Sequence, residues 1–297
     1  MTDSTNGVSR RSFLAALATA GGVAAGLAAT GRSAAAMLAA GDTTHDARRL
    51  RAIGIQLYTV RAAASKDLAG TLERIARIGY NEVEFAGYFG HTPKQVHDML
   101  AATHLRAPST HLDYSVIAKS WDQSIADSLA IGHKWITIAW VDEAQRRTLD
   151  DWKRVADTFN AAAMTARKAG LRFAYHNHDF EMPLMEGKRP LDFLIENTDP
   201  SLVDFEMDIY WLVKGGGQPL DYFARYPHRF PMVHVKDAGP APEYEMRDVG
   251  AGTIDFKSIF ADSAQAGIQH YFVEHDQPAD PFASAAASYR YLKQLRF

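Results

Sequence analysis

The feature that most constrains the fold of this chain is an alternation, repeated eight times after Ala52, of a short apolar run with a longer segment of helical periodicity. The apolar runs are Ile53–Tyr58, Glu82–Ala86, Arg106–His111, Trp135–Trp140, Leu171–His176, Val203–Asp208, Met232–Val235 and His270–Glu274. The helix-like segments are Leu68–Ile78, Pro93–Thr103, Trp121–Ile131, Leu149–Ala169, Pro190–Asn197, Leu220–Arg225, Phe256–Ala266 and Pro281–Leu295. Such alternation is typical of a parallel sheet built from βα units.

Eight βα units without a shift in composition or a Pro/Ser-rich linker predict a single α/β domain, a (β/α)8 barrel over residues 52–297. Several helical segments end at a glycine, as at Gly79 and Gly132, where left-handed backbone closes a helix at little cost. An open doubly wound sheet is the alternative. It usually carries a glycine-rich phosphate loop after an early strand, and this sequence has none.

The first forty residues are typical of an export signal. Ser9-Arg10-Arg11-Ser12-Phe13-Leu14 is followed by a run of Ala, Leu and Gly, which is the layout of a twin-arginine signal peptide. We therefore predict a signal over residues 1–40, a linker over residues 41–51 and a periplasmic location. A membrane-spanning helix is the competing interpretation, but the uncharged run ends at Arg32 and is only weakly apolar.

The charge and the composition of the chain limit the classes of partner that it can bind. The formal net charge of −3 and the pI near 6.5 provide no attraction for a phosphate backbone, so we expect no nucleic-acid partner. Nothing beyond the export signal indicates a membrane contact, and no pattern indicates an oligomeric state. The absence of cysteine excludes a thiolate metal site, so any metal ion must be held by His, Asp, Glu or water.

Ionisable side chains follow most of the predicted strands. In a parallel barrel the carboxyl ends of the strands meet at one face, which is where active sites lie. His176, Asp208, His234 and Glu274 each end or lie within such a run. One of them alone can be satisfied by a backbone group or an arginine, but a convergent ring of four predicts a shared cation. Two nitrogens and two carboxylates suit Mn2+, Co2+, Zn2+ or Fe2+ better than Mg2+.

Three residues are candidates for proton transfer. A divalent ion bound to a substrate carbonyl and its neighbouring hydroxyl acidifies the hydrogen between them and stabilises the enediolate that forms. Glu274 or Lys236 then moves the proton, and Glu84 is a third candidate. For Lys236 the alternative is a plain ion pair with Asp237 or Glu84.

Polar and aromatic residues near the strand ends are expected to contact the substrate. These candidates are Gln56, His111, Trp140, His178 and Trp211. Trp140 and Trp211, with Tyr58 and Phe85, are expected to form an apolar wall against the substrate, and packing at the barrel mouth is the alternative.

Seven sequence motifs, taken as a set, resemble those of the xylose isomerase-like barrels known as sugar phosphate isomerases and epimerases. They are Ile55-Gln-Leu-Tyr-Thr-Val-Arg61, Val83-Glu-Phe85, Tyr175-His-Asn-His178, Met207-Asp-Ile-Tyr-Trp211, Val233-His-Val-Lys-Asp237, Val249-Gly-Ala-Gly-Thr-Ile-Asp-Phe256 and Val273-Glu274. The resemblance implies metal ligands at the ends of strands five to eight, here His176, Asp208, His234 and Glu274. The family's frequent first ligand is Glu, and His176 departs from it.

We therefore expect an exported, divalent-metal-dependent sugar isomerase or epimerase that abstracts a proton next to a carbonyl. Its substrate is expected to be an unphosphorylated sugar or a keto-glycoside, because sugar phosphates are scarce in a periplasm. An imidazole at position 176 argues against an epimerase with two glutamate bases. The alternatives are a lyase or hydratase acting on a 3-keto-glycoside, and a non-catalytic periplasmic sugar-binding barrel. A phosphodiesterase like the apurinic endonucleases is disfavoured by the acidic charge and the export signal.

Overall fold

The structure is a computed structural model that describes residues 48–297; the predicted signal peptide lies outside the described residues. Eight parallel strands close into a barrel in the order β1-β10-β7-β6-β5-β4-β3-β2, with β1 paired to β2. The strands are β1 (Gly54–Gln56), β2 (Glu82–Ala86), β3 (Arg106–Leu112), β4 (Trp135–Ile138), β5 (Arg172–His176), β6 (Val203–Asp208), β7 (Met232–Val235), the antiparallel pair β8 (Asp237–Ala238) and β9 (Met246–Arg247), and β10 (His270–Val273). The predicted (β/α)8 barrel is thus confirmed.

Helices connect the strands around the outside of the barrel. They are α1 (Arg61–Ala64), α2 (Leu68–Ile78), α3 (Pro93–Thr103), α4 (Val116–Lys119), α5 (Trp121–Ile131), α6 (Leu149–Lys168), α7 (Pro190–Asn197), α8 (Ile209–Lys214), α9 (Pro219–Arg225), α10 (Phe256–Ala261), α11 (Ser263–Ala266) and α12 (Pro281–Gln294). Three 3-10 turns cover Leu57–Val60, Glu143–Gln145 and Asp179–Glu181. Within residues 48–297, none of the helices combines the length and the hydropathy needed to cross a bilayer.

Local sequence explains where helices begin and end. The Thr92 side chain accepts a hydrogen bond from the backbone of Gln95, whose side chain returns to Thr92, and Pro93 occupies the first helical position of α3. Gly79 closes α2 at a φ of +120°, and a side chain there would collide with the ring of Tyr289. The predicted glycine end of α2 is therefore required by both backbone and packing.

Two predicted elements differ from those observed. The first apolar run is a strand only to Gln56, because its side chain accepts a hydrogen bond from the Tyr58 N–H and starts a 3-10 turn. The segment Phe256–Ala266 breaks at Asp262 into two short helices. The last four residues of the predicted linker, 48–51, include Arg48, whose backbone pairs with that of Phe297 at 2.7 and 3.1 Å. Arg48 is therefore tied to the end of the barrel domain.

The strand register decides which side chains share a level inside the barrel. Asp208 on β6 stands beside His234 on β7, and His176 on β5 stands beside Glu206. Glu84 on β2 is the register partner of Gln56 on β1. Residues from strands far apart in the sequence are thereby brought together at the carboxyl end of the barrel.

Candidate active site

The four predicted metal ligands meet at the carboxyl end of the barrel, and we call His176, Asp208, His234 and Glu274 the ligand cluster. Asp208, His234 and Glu274 each offer a ligand atom within 4.8 Å of the others. His234 Nδ1 lies 2.9 Å from Glu274 Oε2 and 4.0 Å from Asp208 Oδ2, and His176 Nε2 lies 3.6 Å from Asp208 Oδ2. All four side chains are buried.

Asp208 is held by the turn from β6 into α8. Its Oδ1 accepts a hydrogen bond from the Trp211 N–H at 2.8 Å, as an N-cap does. Its backbone N–H donates to Asn177 Oδ1 at 3.0 Å. With Oδ1 occupied by the helix, Oδ2 is the oxygen that faces the ligand cluster, and the Lys236 ammonium lies 3.0 Å from it.

Lys236 is the positive charge of the site. Its Nζ lies 2.6 Å from Glu274 Oε2, 3.0 Å from Asp208 Oδ2 and 2.8 Å from Asp276 Oδ1. The expected alternative partner Asp237 instead accepts backbone N–H groups, including that of Gly250. Because Asp276 is a third partner, Lys236 keeps an ion pair when a cation engages the other two carboxylates.

Glu206 is a functional candidate that the sequence reasoning missed. Its Oε2 lies 2.6 Å from His111 Nε2, 3.2 Å from His234 Nε2 and 3.3 Å from His176 Nδ1. These four residues form a second group whose ligand atoms lie within 4.8 Å of one another. The signal was available, since Glu206 precedes Asp208 by two residues and so points into the same side of the strand.

Glu84 and Gln56 lie beneath the ligand cluster and do not line the cavity. Both are fully buried, and Gln56 Nε2 donates to Glu84 Oε2 at 2.8 Å. Glu84 Oε2 also lies 2.6 Å from His234 Nε2. The expected catalytic contact of Glu84 and the expected substrate contact of Gln56 are therefore replaced by contacts within the protein. We call Glu84 and Glu206 the inner carboxylate pair.

The pKa values of the buried acids shift in opposite directions, because burial raises them and neighbouring positive charges lower them. Desolvation raises the pKa of Glu206 to about 7 and that of Asp208 to about 6, even though His234 and Lys236 oppose these shifts. Burial and the nearby charge of Glu206 raise the pKa of Glu84. For Glu274, burial is outweighed by Lys236 and His234, which hold its pKa well below the usual range. Glu274 is therefore ionised at neutral pH.

The pKa values of the basic side chains in the site also shift in opposite directions. Burial lowers the pKa of His111 to about 4 and the pKa values of His176 and His178 well below their usual range. Burial also disfavours a charged Lys236, but Asp208, Glu274 and Asp276 outweigh it and raise its pKa well above normal. Lys236 is thus an ammonium group, and these three histidines are neutral at neutral pH.

A cavity of about 570 Å3 opens above the ligand cluster. His176, Lys236 and Glu274 line its deep end. Four of the predicted substrate-binding residues also line it, namely His111, Trp140, His178 and Trp211. Phe85, expected in the apolar wall, is fully buried and packs against Tyr88 and His133 instead.

Aromatic rings form the rim of the cavity on one side. The His178 imidazole stacks on Phe180 at 5.2 Å, and Trp140 meets both rings edge-on at 4.8 and 4.7 Å. The backbone N–H of His178 donates to the buried carboxylate of Glu181 at 2.8 Å, which fixes this turn. His178 Nδ1 and Trp211 Nε1 are buried without a protein partner. Both are therefore polar atoms that a bound ligand can satisfy.

The donor set of the ligand cluster fits a divalent cation. Asp208, His234 and Glu274 each offer a ligand atom within 4.8 Å of the others, and His176 Nε2 adds a second imidazole nitrogen 3.6 Å from Asp208 Oδ2. Nitrogen and oxygen ligands in equal number suit a borderline first-row metal such as Mn2+, Co2+, Zn2+ or Fe2+.

Comparison with known proteins places the chain in a family. The family described as xylose isomerase-like TIM barrel matches residues 72–295. This chain belongs to that family. The fold and the strand-end position of the site agree with the resemblance found in the sequence motifs.

Individual relatives differ in the reactions that their names describe. An inosose dehydratase of Lacticaseibacillus casei is 25% identical over 261 residues, covering 74% of this chain and 87% of that protein. A sugar phosphate isomerase/epimerase of Parabacteroides distasonis ATCC 8503 is 27% identical in structure-based comparison, with a TM-score of 0.72 over 82% of this chain and 98% of that one. The IolI protein, solved with a zinc atom, shares the fold at 13% identity, with a TM-score of 0.65 over 80% of this chain and 95% of that one.

Proposed function

We propose that this protein is a divalent-metal-dependent lyase that eliminates an alcohol from an unphosphorylated 3-keto-glycoside. The observation that carries the proposal is the contact between Glu274 and Lys236, an ionised carboxylate and an ammonium group 2.6 Å apart in the wall of one cavity. Elimination next to a carbonyl needs one base and one acid on neighbouring atoms. The relatives named as inosose dehydratases support elimination as the reaction class.

Glu274 is suited to act as the base. Lys236 and His234 keep it ionised, and it borders the cavity. In the described part of the chain its side-chain polar contacts all run through Oε2, which leaves Oε1 for the substrate. In a 3-keto-glycoside Glu274 takes the proton from C2, the C1–O bond breaks with its electron pair on oxygen, and a C1–C2 double bond forms.

Lys236 is suited to act as the acid. Its ammonium group carries the proton that the departing oxygen needs, so the products are an alcohol and an unsaturated keto sugar. The raised pKa of Lys236 excludes it as the base at neutral pH. Because Glu274 and Lys236 touch each other, proton removal and protonation of the leaving group take place on the same face of the sugar.

The residues that would hold the cation are His176, Asp208, His234 and Glu274. When bound there, a divalent ion polarises the substrate carbonyl and thereby acidifies the adjacent hydrogen. The side chains themselves supply the orientation, since Asp208 is fixed by α8 and His234 by the inner carboxylate pair.

The charge of the cavity favours a neutral substrate. Among the described residues that line it, Lys236 is the single lysine or arginine, and three carboxylates already contact it. Asp113 and Asp276 also border the cavity, so a phosphate group there would meet repulsion from these carboxylates. This supports an unphosphorylated substrate.

The shape of the cavity favours a glycoside over a single sugar ring. Its volume of about 570 Å3 lies in the range of sites for drug-sized ligands. Part of its wall is apolar, with Leu112, Val116 and Trp140 among its residues. A keto sugar over the ligand cluster leaves this wall for the group attached at C1.

The proposal is tested with metal-loaded protein and an aryl 3-keto-glucoside in deuterated buffer. We expect release of the phenol together with an unsaturated sugar that absorbs in the ultraviolet. Glu274→Gln should reduce kcat by about 10²- to 10⁴-fold, the usual contribution of a general base. Glu82→Gln, at the other end of the barrel, is the matched control and should keep the activity. Absence of phenol release with saturating metal would contradict the proposal.

A sugar isomerase or epimerase is the second candidate, favoured by the 27% identical structure named for that activity. The same base would remove the same proton, but the carbon skeleton would keep all its substituents. The test separates the two, because an isomerase incorporates deuterium without releasing phenol.

A further inference from the structure

The inner carboxylate pair, Glu84 and Glu206, takes no part in the proposed proton transfers, because neither residue lines the cavity. We propose that Glu206 is a positioning residue that fixes the tautomer of His176 and, with Glu84, that of His234. Each imidazole then turns its lone pair toward the ligand cluster. This inference rests on the metal centre of the proposed function.

His234 lies between two groups of acids. Its Nδ1 faces Glu274 Oε2 at 2.9 Å within the ligand cluster. Its Nε2 faces Glu84 Oε2 at 2.6 Å and Glu206 Oε2 at 3.2 Å. A neutral imidazole has one N–H and one lone pair, and a carboxylate accepts the N–H. When a cation binds Nδ1, the one remaining N–H is on Nε2, and the inner pair accepts it.

His176 faces the ligand cluster with Nε2 and Glu206 with Nδ1, which is the reverse of His234. Its Nε2 lies 3.6 Å from Asp208 Oδ2, and its Nδ1 lies 3.3 Å from Glu206 Oε2. Nδ1 is buried and makes no hydrogen bond in the structure. When Nε2 binds a cation the proton must sit on Nδ1, and Glu206 is the acceptor within reach.

His111 holds Glu206 in place from a third direction. His111 Nε2 and Glu206 Oε2 are 2.6 Å apart, so one carboxylate oxygen lies within 3.3 Å of three imidazole nitrogens. Glu206 is fully buried, and water does not compete for these contacts. A single side chain thus orients two ligands that are 58 residues apart in the sequence.

A second cation bound by His111, His176, Glu206 and His234 is the competing arrangement, since their ligand atoms also lie within 4.8 Å of one another. With the ligand cluster occupied, that arrangement would leave no proton on either ring of His176 and His234. A neutral imidazole keeps one N–H, so the geometry favours one cation and one acceptor over two cations.

The experiment compares the zinc affinity of the wild-type protein with that of Glu206→Gln by competition with a chromophoric chelator. We expect one zinc ion per chain and an affinity about 10- to 100-fold weaker in the variant, the usual effect of losing the acceptor of a ligand histidine. Glu82→Gln replaces a buried glutamate at the opposite end of the barrel and should leave zinc affinity unchanged. Equal affinities of Glu206→Gln and wild type, or two zinc ions in the wild type, would overturn the inference.

A second measurement keeps the inference testable if Glu206→Gln does not fold. In zinc-loaded wild-type protein with 15N-labelled histidine, NMR should show His176 protonated at Nδ1 and bound through Nε2, and His234 protonated at Nε2. The reverse tautomer of His176 would overturn the inference. A wild-type protein that binds no zinc, manganese, cobalt or iron would instead remove the metal centre of the proposed function.

Discussion

The two ends of the barrel treat buried charge differently. At the amino end, the Asp204 carboxylate accepts two hydrogen bonds from Arg172, both at 2.6 Å, and one from Trp135 Nε1 at 2.8 Å. Glu82 is contacted by Arg106 at 3.0 Å and by His270 at 2.8 Å. Each acid there has its partners within the chain.

At the carboxyl end of the barrel, several buried polar atoms lack a hydrogen-bond partner. Glu84 Oε1, Glu206 Oε1 and His176 Nδ1 are all buried without a hydrogen bond. Leaving such groups unpaired costs free energy that a barrel built for stability alone would avoid. The difference indicates that the amino end stabilises the fold and that the carboxyl end is arranged to bind something from outside.

The largest expected difference is between two variants that each replace one histidine with alanine, one at each end of the barrel. His234→Ala should abolish metal binding and activity together, because His234 contacts both the ligand cluster and the inner carboxylate pair. His270→Ala should retain both, because its partner is Glu82 at the amino end. Metal content and kcat of the two variants provide the measurement. Metal retained in His234→Ala would remove this residue from the site.

A smaller effect is expected from removing a cation at the amino end. Arg172→Met leaves the buried Asp204 with Trp135 as its remaining contact, and it should lower the free energy of unfolding by about 2 kcal/mol, a value reduced for the partial exposure of Arg172. Metal affinity and kcat should not change. Chemical denaturation measures the first quantity. A loss of activity in the folded variant would show that the two ends are coupled.

The smallest effects are expected from one tryptophan at each end. Trp211→Phe removes a buried indole N–H that has no protein partner and should raise KM about 5- to 10-fold while metal is retained, about 1 to 1.4 kcal/mol of substrate binding. Trp135→Phe removes a hydrogen bond to Asp204 and should cost about 1.5 kcal/mol of stability with KM unchanged. Steady-state kinetics and thermal unfolding of both variants separate the two roles. If KM rises in Trp135→Phe and stays normal in Trp211→Phe, the assignment of the two ends is wrong.

Much of the fold and part of the candidate site followed from the sequence. All eight strands were predicted because apolar runs of four to six residues alternate with helical periodicity. The four residues of the ligand cluster end or lie within predicted parallel strands, and the barrel brings those strand ends together. Their role as metal ligands stays a prediction, as does the twin-arginine signal.

Other parts of the site depended on barrel closure. The sequence predicts a substrate contact for Gln56 and a catalytic role for Glu84. In the structure the strand register places both side chains beneath His234. Glu206 was overlooked inside an apolar run, although its spacing from Asp208 places both on the same side of β6.

The sequence by itself determined the order of strands and helices and the kinds of side chain at the strand ends, because periodicity and turn chemistry act between residues close together in the chain. Only the tertiary structure decided which of those side chains touch one another. Glu84 and His234 are 150 residues apart, and their 2.6 Å contact exists because the sheet closes on itself with a particular register. Burial in that closed interior is also what separates the pKa values of neighbouring carboxylates, since desolvation and ion pairing depend on the surroundings that folding creates.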